Sequence, residues 1–132
     1  MRKESKKKLD ELGIFIVYLF GSRAIGKASR LSDIDIGVVL NESPSWRDTR
    51  ALYQGLYGIL SELYPHSKLD IVFLQTASLS LQYSAIKEGK TLFEKDPQFT
   101  ADYEESIIKQ YLDFRPVLDF FDRVTMGKYA EA

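Results

Sequence analysis

The spacing of apolar residues changes period several times along this chain, and each change predicts an element. Residues 3 to 12 are mostly charged and predict a short helix that Gly13 breaks. The next seven, IFIVYLF at 14 to 20, form a continuous β-branched and aromatic run, short enough for a core strand. Gly21 and Ser22 end it sharply, and residues 22 to 29 predict a short helix or a tight turn. DIDIGVVL at 33 to 40 predicts a second strand, and residues 41 to 46, with Pro44, predict a loop. From Asp48 to Leu63 the period lengthens. Leu52, Leu56, Ile59, Leu60 and Leu63 recur at three- and four-residue steps and line one face of a helix, which Pro65 ends. KLDIVFL at 68 to 74 predicts a third strand, only partly alternating, with one face covered by a helix. Residues 79 to 88 predict another helix closed by Gly89, and TLFE at 91 to 94 a short strand or extended edge. A long helix follows from about 100 to 123, with Pro116 as a kink or break.

This order predicts an α/β (α+β) fold, a small mixed sheet flanked by helices, in one domain over 1–132. No internal repeat or linker interrupts it. The 132 residues suffice for a true core, and 45% hydrophobic with 28% charged is the balance of a soluble globular protein. The absence of cysteine excludes disulfides, cysteine-held zinc and thiol chemistry, and agrees with a cytoplasmic setting. With His66 as the only histidine, a two-histidine metal site would need a second chain. No run is long and apolar enough to span a bilayer, so no membrane role is expected. A formal net charge of −1 gives no general attraction to nucleic acid, and direct nucleic-acid binding is not expected. Arg2, Lys3, Lys6, Lys7 and Lys8 cluster locally, and the expectation is a solvated helix start rather than a contact with a partner or phosphate-rich ligand.

The chemistry concentrates between Gly21 and Asp70. Side chains two apart in a strand point the same way, so Asp33 and Asp35 share one face while Ile34 and Ile36 face the core. Two carboxylates this close repel, and a divalent cation with oxygen preference, magnesium above all, removes the penalty. Asp70 lies in another strand between Leu69 and Ile71, and meets the pair if the two strands are neighbours. The other reading is structural: Asp33 as a turn or cap residue after Ser32, and Asp35 paired with Arg23, Lys27 or Arg30. Upstream, Gly21 allows close backbone approach and Ser22 supplies a hydroxyl donor, together suited to terminal phosphates of a nucleotide, with Arg23 adding charge. Neither a Walker A ending nor a Gly-x-Gly-x-x-Gly fingerprint is present.

Gly21-Ser22, Ala24 and Gly26, then Ser32-Asp33-x-Asp35, then Asp70, resemble the signature of the DNA polymerase beta-like nucleotidyltransferase superfamily. Within it, IKEGKTLFEKD at 86 to 96 and YLDFRPVLDFFDR at 111 to 123 resemble the minimal nucleotidyltransferases, small proteins encoded beside HEPN-domain partners. The resemblance implies a polymerase-beta-like fold and magnesium-dependent transfer of AMP from ATP to a tyrosine of a HEPN-family toxin, for which the chain is the antitoxin. It implies Asp33, Asp35 and Asp70 as catalytic metal ligands, Asp70 also assisting the acceptor hydroxyl. Gly21 and Ser22 would hold the β and γ phosphates, with Arg23 beside them. One departure is Ile25, where the motif often carries a basic residue. The alternatives are an antitoxin that works by occlusion without chemistry, or an adenylyltransferase for a small molecule.

Other residues carry less. Trp46 and Tyr53 could stack on adenine, but loop anchoring and helix packing are the expectation. His66 is expected to be exposed. Tyr111, Phe114, Leu118 and Phe121 form a stripe on the last helix, read as core packing or as a docking surface for a partner or a second copy. Homo- and hetero-oligomers both remain open.

Overall fold

The computed structural model describes residues 1–21, 33–41 and 49–130. In chain order its elements are α1 (Lys3–Glu11), β1 (Ile14–Phe20), β2 (Ile34–Leu40), α2 (Thr49–Ser61), β3 (Leu69–Phe73), α3 (Leu79–Glu88), β4 (Lys90–Glu94) and α4 (Pro97–Ala130). A 3-10 turn, Leu74–Thr76, follows β3. The four strands form one mixed sheet in the order β3-β2-β1-β4. β1 runs antiparallel to both β2 and β4, while β2 and β3 are parallel and joined through α2. The mixed α/β layering is the one expected from the order of periods.

Both faces of the sheet are covered, which explains why the central strands read as unbroken apolar runs. On one face Ile34, Ile36, Val38 and Leu40 of β2 pack with Val17, Leu19, Leu69 and Ile71 against Leu9 of α1 and Leu56, Ile59 and Leu60 of α2. On the other, Ile16, Tyr18, Phe20 and Val39 pack with Leu74 and Ala85, backed by Leu81, Phe99 and Tyr103 of α3 and α4. A bulge between Ile14 and Ile16 re-phases β1, so that Phe15 and Ile16 both serve the α3–α4 side. Gly37 lets Leu74 close over β2, since a Cβ there would sit 2.8 Å from Leu74 Cδ1.

Side chains finish the element ends. Gln75 extends the far end of β2 as a strand would: its Oε1 accepts from the Leu40 N–H and its Nε2 donates to the Leu40 carbonyl, both at 2.8 Å. Ser78 caps α3 by accepting from the Leu81 N–H. Asp96 accepts from the Gln98 N–H just ahead of Pro97, a residue suited to a first helical turn.

Two expectations change. The last helix is longer at both ends than 100 to 123, and it continues through Pro116. Proline there removes one amide donor, and in this exposed stretch water can take the Leu112 carbonyl that loses its partner. The aromatic stripe is also not core packing at its C-terminal end: Phe114 and Phe121 are 54% and 61% exposed. Tyr53, by contrast, packs against the α1–α2 core and stacks on Tyr57, and His66 is exposed, both as expected. Trp46 lies outside the described residues.

Candidate active site

The parallel pairing of β2 and β3 settles where Asp70 goes. Asp35 stands directly opposite Asp70 in the register, and opposite Phe20 on the other side. The ladder reaches back past Asp35, with Ile34 donating to the Lys68 carbonyl at 2.9 Å. Because Ile34, Leu69 and Ile71 are committed to the α1–α2 core, Asp35 and Asp70 emerge together on the opposite face. Asp33, exposed, immediately precedes β2 on that same side by strand parity. The three carboxylates are therefore gathered where β1 ends and β2 and β3 begin.

Gly21 completes the arrangement in a way the sequence did not make apparent. Its φ is +78°, and a Cβ at this position would collide with the Asp35 carboxylate. The chain leaving β1 thus passes directly against the acid, and only glycine combines that backbone conformation with that approach. Ser22 and Arg23, like the candidate partners Lys27 and Arg30 and the divergent Ile25, lie outside the described residues.

Among the described residues, the electrostatics are those of an acidic cluster. Burial first, then the charges of Asp70 and Asp33, push the Asp35 carboxyl above the usual carboxylate range. An all-oxygen, like-charged set suits a hard cation such as magnesium, which keeps several waters and needs only one or two carboxylates. Among the described residues, no three acidic or histidine side chains close into a cage by themselves. The donors nonetheless fit such an ion, with Asp35 and Asp70 adjacent and Asp33 beside them.

The residues behind the site are tied to the helices. Tyr18, buried in β1 three positions before Gly21, donates its hydroxyl to Glu104 Oε1 of α4 at 2.7 Å. Tyr103 donates to Gln82 Oε1 of α3 at 2.8 Å, and Tyr83 stacks on Tyr111 with centroids 3.9 Å apart. Sequence reading missed the Tyr18 anchor, although a lone hydroxyl inside IFIVYLF was a visible signal, since a buried hydroxyl needs a partner.

A family model described as Polymerase beta, Nucleotidyltransferase matches residues 3–98. The chain is similar to a solved toxin–antitoxin structure with AMP-PNP, at 28% identity and TM-score 0.69, covering 94% of this chain and 99% of that one. It is similar to an MntA–HpeT toxin–antitoxin mutant at 26% identity and TM-score 0.68, covering 90% and 94%. The fold is shared with a complex of tri-AMPylated Shewanella oneidensis HEPN toxin with MNT antitoxin, at 24% identity and TM-score 0.62, covering 95% and 99%. No curated protein matches. Because that family model spans residues 3–98 of the 132, the chain belongs to the polymerase beta nucleotidyltransferase family.

Proposed function

We propose that this chain is the antitoxin of a toxin–antitoxin pair and acts as a magnesium-dependent nucleotidyltransferase, moving AMP from ATP to a tyrosine hydroxyl of a HEPN-domain toxin. The observation that carries the chemistry is the Asp35–Asp70 pairing with Gly21 packed against Asp35. The similarity to a toxin–antitoxin structure with AMP-PNP supports both the donor and the setting.

In this reading Asp33, Asp35 and Asp70 would hold magnesium, which would offset their mutual repulsion and the charge on the triphosphate. Gly21 and Ser22 would hold the β and γ phosphates, with Arg23 adding positive charge. Asp70, exposed at the edge of the group, faces the incoming hydroxyl and takes its proton. The tyrosine oxygen bonds to the α-phosphorus, the bond to the bridging oxygen breaks, and pyrophosphate leaves with that electron pair. Catalysis is positioning and charge stabilisation, with no covalent enzyme intermediate.

The test is AMP transfer followed by mass spectrometry, using this chain, Mg-ATP and a co-expressed HEPN-domain protein. Wild type should add one or more AMP groups to a partner tyrosine, and Asp35→Asn should lower the rate by at least ~10²-fold. Equal transfer by the variant would sink the assignment. The exposed aromatic face of α4 favours a second reading, neutralisation by occlusion. Equal neutralisation of the toxin by wild type and the Asp33→Asn, Asp35→Asn double variant would establish that reading instead.

A further inference from the structure

The far half of α4 carries an inference that rests on the reading above and extends it to the surface on which the acceptor sits. The helix packs on the body through a three-four repeat: Thr100 and Ile107 are buried and Tyr103 is half-buried between them. The same repeat continues to Gln110, Phe114, Val117, Phe121 and Val124. There the described seam is bare, with Val117 48% and Val124 52% exposed alongside the two phenylalanines. Phe120, 56% exposed, flanks it. A seam of this period fits another helix.

The direction of α4 gives the seam its meaning. Phe99 packs at a tilt on Phe15 near the start of β1, and Glu104 meets Tyr18 further along the strand. The helix therefore advances in the same sense as β1, toward Gly21 and the carboxylates. At 1.5 Å per residue, Phe114 to Val124 lie roughly 15–30 Å beyond Glu104. Gly21 lies only about 10 Å beyond Tyr18. The bare seam thus lies toward the carboxylate end of β1.

Area argues for the occupant. Half-exposed side chains of this size and number present roughly 500 Å² of apolar surface, near the upper end for a monomer. A standard interface needs about 800 Å² from each partner. A second copy pairing through the seam alone would fall short, whereas a protein seated on the seam and also reaching the carboxylate end makes up the difference. We propose that this seam docks an amphipathic helix of the acceptor protein and so holds its hydroxyl-bearing segment at Asp35 and Asp70.

The experiment compares wild type, the Phe114→Asp, Phe121→Asp double variant and Phe121→Leu. Three readouts are taken: Mg-ATP affinity, affinity for the co-expressed HEPN-domain protein, and KM and kcat of AMP transfer to it. The double variant should keep nucleotide affinity within about twofold of wild type while partner affinity falls at least ~100-fold and KM rises correspondingly. Phe121→Leu, still apolar, should stay within about tenfold of wild type. Loss of partner binding by the double variant, when wild type itself transfers no AMP, would uphold the docking surface and reject the catalytic reading. Unchanged partner affinity and KM in the double variant would overturn the proposal. So would a wild-type dimer that becomes monomeric in the double variant while transfer is undiminished, because the seam would then belong to a second copy.

Discussion

At Asp35 one side chain is held in an unfavourable electrostatic position by its neighbours. Its strand cannot rotate it away, because Ile34 and Ile36 on either side are fully buried in the opposite core. The residue that makes room for it is Gly21, and this contact supplies a prediction. Gly21→Ala places a methyl in left-handed backbone and against the carboxylate. It should cost about 1–3 kcal/mol in urea unfolding and at least ~100-fold in AMP transfer, with the protein still folded. A variant of wild-type activity would show that the close approach has no part in the reaction. The carboxylates were legible in the sequence because strand parity alone aligns Asp33 with Asp35. The Gly21 contact was not, since it depends on how the chain leaves β1, and no local pattern encodes that.

Among the elements, the strands and helices with clean periods were predicted to within a few residues, as IFIVYLF and the leucine face of α2 illustrate. The departures lie where tertiary surroundings decide. Pro116 reads as a breaker in isolation, but an exposed helix tolerates it because water satisfies the freed carbonyl. The end of β2 is likewise a tertiary matter. Gln75 reaches back from the turn after β3 to serve both backbone groups of Leu40, a pairing no spacing rule foretells. Gln75→Ala should destabilise the fold by about 1–3 kcal/mol, since both groups lose a partner beside a fully buried residue. Chemical denaturation checks this, and a change within error would mean that water replaces the amide without penalty.

For the molecule as a whole, α4 is joined to the sheet by a buried tyrosine whose ionisation should govern alkaline behaviour. Burial, followed by the hydrogen bond and charge of Glu104, pushes the Tyr18 hydroxyl well above its usual value. Burial also raises Tyr103, with Glu104 contributing. A raised folded-state pKa gives stability that is intact below the unfolded tyrosine value near 10 and is lost as pH rises through the folded value. Wild type should therefore lose stability progressively as pH rises above about 10, and Tyr18→Phe should flatten that fall while costing about 1 kcal/mol at pH 7. Melting curves across the range test it, and parallel curves for the two proteins would reject it. The parallel union of β2 and β3 has a further consequence, for the order in which competence is acquired during folding. Asp35 and Asp70 come from opposite ends of a helical crossover, so they are strangers in any chain that has formed only its antiparallel β1–β2 pair. Long-range parallel pairing is intrinsically slow to form. On the proposed mechanism a nascent or half-assembled copy is therefore expected to be inactive, and to gain its chemistry only with the closure that also completes its core.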